Sequence, residues 1–197
     1  QTSKRLNDWL RYAAVLEEQV PMVPNDEVAQ DLHLRLGSVH EHHLNDLDAA
    51  ISHYGAVLEI TPDQQDALVA LERLYEQRAQ WPELAEILLA RAESAEPSEQ
   101  VKFLNRLGAL FETALDDVGE ACRFYQVALE TSVDDDTIRA LERLIAEGHE
   151  PLELGRLLEP IYLERNQYDA LARLLESLIP HETDVLEQQR MQHQLGE

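Results

Sequence analysis

The 197 residues include 33 Leu against 7 Gly and 8 Pro, and 44% of the chain is apolar, a composition that excludes collagenous and disordered chains and reads as globular and helical. Sixteen Lys and Arg face 39 Asp and Glu, a net charge of −23 that repels phosphate backbones and anionic bilayers and argues against nucleic acid as a partner. One cysteine cannot build a disulfide framework or a multi-cysteine zinc site, and no apolar run approaches the roughly 20 residues that span a bilayer.

Taken in chain order, Trp9 to Gln19 reads as an amphipathic helix. Leu32, Leu36, Val39 and Leu44 form a helical stripe that stops at the polar break Asn45-Asp46. Ala50, Ile51, Tyr54, Val57 and Leu58 form the next stripe, with the three- and four-residue spacings of a helix face. Asp46 and, further on, Asp117 are placed to cap the helices that follow them by accepting from free backbone N–H groups. Pro62 and Pro97 fall between helices, where a missing N–H is harmless. Residues 137–147, 151–165 and 168–179 read as three successive helices, the first started by Asp136 or Thr137. Pro160 interrupts the run Leu157 to Tyr162. An interior proline costs about 3 kcal/mol, which predicts a bent helix or two short ones broken at Glu159. Arg190 to Glu197 reads as one further helix cut short. The expectation is eleven antiparallel helices and no strand.

The chain also repeats itself. Leu36-Gly37, Ala50, Tyr54 and Leu58-Glu59 recur 71 residues later as Leu107-Gly108, Ala121, Tyr125 and Leu129-Glu130. Ala70-Leu71-Glu72-Arg73-Leu74 recurs as Ala140-Leu141-Glu142-Arg143-Leu144. Trp9, Trp81 and Tyr168 form a third echo, each 27 or 28 residues before a Leu-Gly pair. The unit of about 71 residues divides into halves of roughly 35, each of two helices. The last third strains this register. Tyr168-Asp169-Ala170-Leu171 mirrors the second-helix segment Trp81-Pro82-Glu83-Leu84 where strict alternation calls for a first helix.

These residues carry a resemblance to the tetratricopeptide repeat, a 34-residue helix–turn–helix unit. Leu36, Gly37 and His40 stand at the family's Leu, Gly and Tyr positions on a first helix. Ala50, Tyr54, Val57 and Pro62 stand at its Ala, Tyr, Ala and Pro positions after a one-residue insertion. Leu107, Gly108, Phe111, Ala121, Tyr125 and Ala128 match more closely. The resemblance implies an all-α, right-handed α–α superhelix. Its expected divisions are 1–24 (a preceding second helix), 25–62, 63–97 and 98–133 (three repeats), 134–166 (a degenerate repeat containing Pro160) and 167–197 (a partial repeat). Neither end looks like a cap, and the first residue is not Met, so a window from a longer array is expected, with open ends available for self-association.

Chemical motifs are few. His40-Glu41-His42-His43 offers two imidazoles three residues apart, with Glu41 or Asp46 as an oxygen ligand, which falls short of a zinc set. Cys122 sits in an apolar stripe with no basic neighbour. Asp134-Asp135-Asp136 lacks the spaced ligands of a calcium loop, and no nucleotide, hydrolase or metalloprotease motif is present. No catalytic residue, cofactor or metal is expected.

The resemblance instead implies a concave groove lined by first helices and holding a protein or peptide partner. Its residues would be Asp31, Leu34, Ser38, Asp66, Val69, Arg73, Lys102, Asn105, Arg106, Arg139 and Arg143. Only Lys102 and Arg106 match the family's carboxylate clamp, while Leu34, Ser38 and Ala70 replace the rest, so a chaperone-tail binder is not expected. The leading reading is a non-catalytic interaction scaffold. The alternatives are a docking region of a larger enzyme and a structural stacking array.

Overall fold

The computed structural model describes residues 2–196 and the side chains from residue 5. Eleven α-helices succeed one another: α1 (Thr2–Gln19), α2 (Asp26–Val39), α3 (Leu47–Ile60), α4 (Gln65–Gln77), α5 (Trp81–Ser94), α6 (Pro97–Thr113), α7 (Val118–Thr131), α8 (Asp135–Ala146), α9 (Pro151–Glu164), α10 (Tyr168–Leu178) and α11 (Val185–Leu195). No strand occurs among the described residues. Glu197, the last residue of the expected final helix, lies outside them. The helices fall into two compact units, Gln1–Ser94 and Ala95–Glu197.

In the first unit α2 and α3 form the central pair. The connection expected to hold an extra residue is a π-helical turn, His40–Leu44, which closes on Asn45 in the left-handed conformation (φ 54°). π-turns accommodate one residue more than an α-turn within a continuing helix. Asp46 then caps α3 by accepting from Ala49 N at 3.1 Å. The Tyr54 ring lies on Gly37 so closely that a Cβ there would stand 2.7 Å from it. Ala50, Val57, Leu68, Leu71 and Leu74 fill the adjoining core, each buried Leu contributing about 1.5–3 kcal/mol.

The second unit opens with the same device. Asp116 is left-handed at φ 54°, Asp117 caps α7 by accepting from Glu120 N at 3.0 Å, and the Tyr125 ring excludes a Cβ on Gly108. Leu107 and Ala121, expected to be interior, are fully buried.

Two local expectations are corrected, and of the two alternatives at Pro160 the broken helix is removed. Pro97 does not lie between helices but opens α6, where its fixed φ suits a helix start. Asp134 caps α8, accepting from Asp136 N and Thr137 N, so the helix begins at Asp135, ahead of Asp136 and Thr137. Helix α9 is not broken at Glu159. It runs through Pro160, held by buried Leu158 and Tyr162 on either side.

The strained register has a structural cause. The α9–α10 turn repeats the α4–α5 turn at an offset of 87 residues, with Ala79 and Asn166 both left-handed. Gln80 N donates to Tyr75 O (2.9 Å) as Gln167 N donates to Tyr162 O (2.8 Å). Arg78 pairs with Asp48 as Arg165 pairs with Asp135. An offset of 87 exceeds 71 by about one helix and its turn. One additional helix therefore separates the two stretches, and the Tyr168 segment takes the second-helix role its sequence mirrors.

Candidate interaction surface

Three of the arginines expected in the groove, Arg73, Arg139 and Arg143, pair with carboxylates of their own units. Glu41, at the end of the first helix pair's opening helix, has a side chain only 3% exposed. It accepts from Tyr54 Oη at 3.1 Å and pairs with Arg73 of α4. The arrangement recurs around Glu112, which accepts from Tyr125 Oη at 3.3 Å and from Arg143 Nη2 at 2.9 Å. The Arg143 hydrogen bond is the main cause that holds the Glu112 carboxyl below its usual range, and burial works against it. Burial, with the carboxylate beside it, pushes Tyr125 up to about 12 and Tyr54 upward also. A third version joins Tyr162 Oη to Glu142 at 2.6 Å. The first two sets fasten a helix pair to the helix that follows it through a largely buried carboxylate, whereas exposed Glu142 only joins α8 to α9.

The other expected residues scatter. Asp31 is exposed and pairs with Arg35 at 2.8 Å. Leu34 packs against the core, Ser38 is half-buried, and Asp66 accepts from Gln64 Nε2 at 3.4 Å. Val69 is 48% exposed. Arg139 pairs with Asp136 and lines a depression of about 500 Å³ together with Arg165, Tyr168 and Arg173. Lys102, Asn105 and Arg106 do converge. They line one depression of about 470 Å³ with Val101, Val133 and Asp134. Asn105 is held there, donating to Asp134 Oδ2 (3.2 Å) and accepting from Thr137 Oγ1 (2.9 Å). Lys102 is exposed and makes no ion pair among the described residues.

The two chemically tempting features behave differently from one another. Cys122 is buried, and burial pushes its thiol up to about 11, away from nucleophile chemistry. The histidine run, by contrast, is pulled apart. His43 stacks on Trp9 with ring centroids 3.7 Å apart, and His42 faces outward beside Glu41. His40 turns inward, where its ring lies 5.3 Å from that of His53 on α3, and His53 Nδ1 stands 3.1 Å from His33 Nδ1 on α2. Sequence reasoning missed His33 and His53. The available signal was that both occupy apolar-stripe positions.

The profile of the tetratricopeptide repeat family matches residues 32–68 and 67–101. Residues 32–101 are tetratricopeptide repeats. No curated protein matches the chain closely enough to count as a relative. Tetratricopeptide repeats generally serve as protein-interaction scaffolds, and the all-α helical-repeat fold agrees with the match over residues 32–101. No described helix is long and apolar enough to cross a membrane.

Proposed function

We propose that the chain is a non-catalytic scaffold whose second unit docks an acidic peptide segment of a partner protein on α6 and the α7–α8 turn. One observation carries this reading: Lys102, exposed and without an ion pair among the described residues, lines the same depression as the apolar Val101 and Val133, while Asp134 and Asp136 on that wall are engaged by Asn105 and Arg139. In a chain of net charge −23, a concave patch offering the Lys102 ammonium beside apolar surface selects a carboxylate-bearing segment through charge-assisted hydrogen bonds. Arg73 and Arg143 act differently. They close internal sets with Glu41 and Glu112 and hold the tetratricopeptide frame. Asp31, Leu34, Ser38, Asp66 and Val69 belong to the first unit and contribute no cation.

The test uses a fluorescein-labelled Glu-rich peptide and fluorescence anisotropy on the 197-residue chain. Binding should fall as salt rises, since charges are screened beyond about 10 Å at 0.1 M. Lys102→Glu should weaken binding about tenfold with the far-ultraviolet circular dichroism unchanged, and Arg173→Glu, in the other depression, should leave it intact. Equal binding by wild type and Lys102→Glu sinks the reading.

A further inference from the structure

We infer that His40, His53 and Glu17 form a binding site for one divalent transition-metal ion of the Zn²⁺ class. Their ligand atoms lie within 4.8 Å of one another, and they come from three elements of the first unit: Glu17 from α1, His40 from the π-turn and His53 from α3. His40 Nε2 and Glu17 Oε1 stand 3.4 Å apart. Ligands bound to a tetrahedral zinc at about 2.0–2.1 Å are roughly 3.3 Å from one another, so this pair already spans one edge of such a site.

Two further observations point to a ligand. The His40 side chain is only 10% exposed, yet neither ring nitrogen has a hydrogen-bond partner. Buried imidazole nitrogens left unsatisfied are costly, and a metal ion answers that cost directly. The second observation comes from the internal repeat. At the offset of 71, His33, His40 and His53 correspond to Leu104, Phe111 and Phe124. The Phe111 and Phe124 rings lie 5.2 Å apart at 32°, and the His40 and His53 rings lie 5.3 Å apart at 31°. The same packing arrangement is thus filled by hydrocarbon in one helix pair and by three imidazoles in the other.

The surroundings suit metal ligation. His33 Nδ1, 3.1 Å from His53 Nδ1, orients that ring, and Asp46 Oδ2 lies 4.0 Å from His40 Nδ1. A hydrogen-bonding partner behind a ligand, as His33 is to His53, holds a metal-binding imidazole in place. Burial keeps His53 below its ordinary pKa, with His33 and His40 acting in the same sense and Glu17 opposing. The ring is therefore neutral, as a ligand must be, at neutral pH. Two imidazoles and a carboxylate suit Zn²⁺, Ni²⁺ or Cu²⁺ rather than Ca²⁺ or Mg²⁺. Three protein ligands leave one position for water.

The test is titration of the metal-stripped chain with Zn²⁺ against a chromophoric chelator at pH 7.5, with hydrogen exchange followed in parallel. One equivalent should bind, and exchange in α1 should slow because Glu17 is tied to His40 and His53. Glu17→Gln and His53→Gln should each weaken affinity by at least about 10–100-fold, the loss typical even of partners behind the ligands. The double variant His42→Gln with His43→Gln should bind as wild type. The triple variant His33→Leu, His40→Phe, His53→Phe copies the packing of the other helix pair. It should keep full helicity and bind no zinc. The inference is overturned if the wild-type chain takes up no Zn²⁺, if the triple variant binds it equally, or if the His42/His43 variant loses it.

Discussion

The helix pairs α2–α3 and α6–α7 share a backbone design while differing in what fills it. Both turn on a left-handed residue followed by a capping Asp, both lay a Tyr ring on a Gly, and both fasten that Tyr to a Glu–Arg pair. Where α6–α7 places Leu104, Phe111 and Phe124, α2–α3 places three histidines. Small residues and caps at fixed positions specify the pair, and flat groups of similar volume are interchangeable between them. Chemistry is thereby added to a helix pair without disturbing its frame.

The largest expected effect tests the shared frame. Gly37→Leu and Gly108→Leu should each cost about 1–3 kcal/mol by overpacking, measured by urea denaturation. An unchanged midpoint in either variant would show that the two pairs do not share the Tyr-on-Gly contact. Next come the ion pairs. Arg73→Ala and Arg143→Ala leave a carboxylate short of a partner, at about 1–2 kcal/mol each, toward the low end because both guanidiniums are half-exposed. Arg73→Ala should cost more, since Glu41 is 3% exposed and Glu112 is 12% exposed.

A pH titration sharpens the difference between the pairs. Burial lowers His33 and His53 below the ordinary 6.5, with Glu59 and Glu17 opposing. A lowered folded value means the unfolded chain binds protons first. The first unit is therefore fully stable above pH 6.5 and loses stability as pH falls through the lowered values. The triple variant His33→Leu, His40→Phe, His53→Phe should flatten that dependence. The second unit responds in a more acidic window, because Glu112 is lowered from 4.5. Its contribution is present above 4.5 and lost as pH falls through the lowered value. A single transition common to both units would refute the distinction. The smallest effect on stability belongs to Lys102→Glu, within about 0.5 kcal/mol, since that side chain is exposed and unpaired among the described residues.

Much of the frame was legible because its signals are local. Cap residues, glycines and the 71-residue echo placed the helices and the family resemblance. The internal sets were half visible: Glu41 recurs as Glu112 and Arg73 as Arg143, yet nothing local joins a carboxylate to a guanidinium more than thirty residues away. The His40-Glu41-His42-His43 run misled in the other direction, because adjacency in sequence spreads side chains around a helix. His43 meets Trp9 while His40 meets His53.

By itself the sequence determined an all-α chain, the interior helix boundaries between residues 135 and 179 to within a residue or two, and the positions where helices approach most closely, all of which rest on 3.6-residue periodicity and turn chemistry. The outer helices begin at Thr2 and Val185, earlier than Trp9 and Arg190, because exposed terminal turns carry no apolar stripe. Only the tertiary structure decided which charges pair, that one additional helix shifts the register before α9, and that three separated histidines converge with Glu17. Those outcomes depend on contacts between residues far apart in the chain, set by packing many side chains at once, and periodicity carries no record of them.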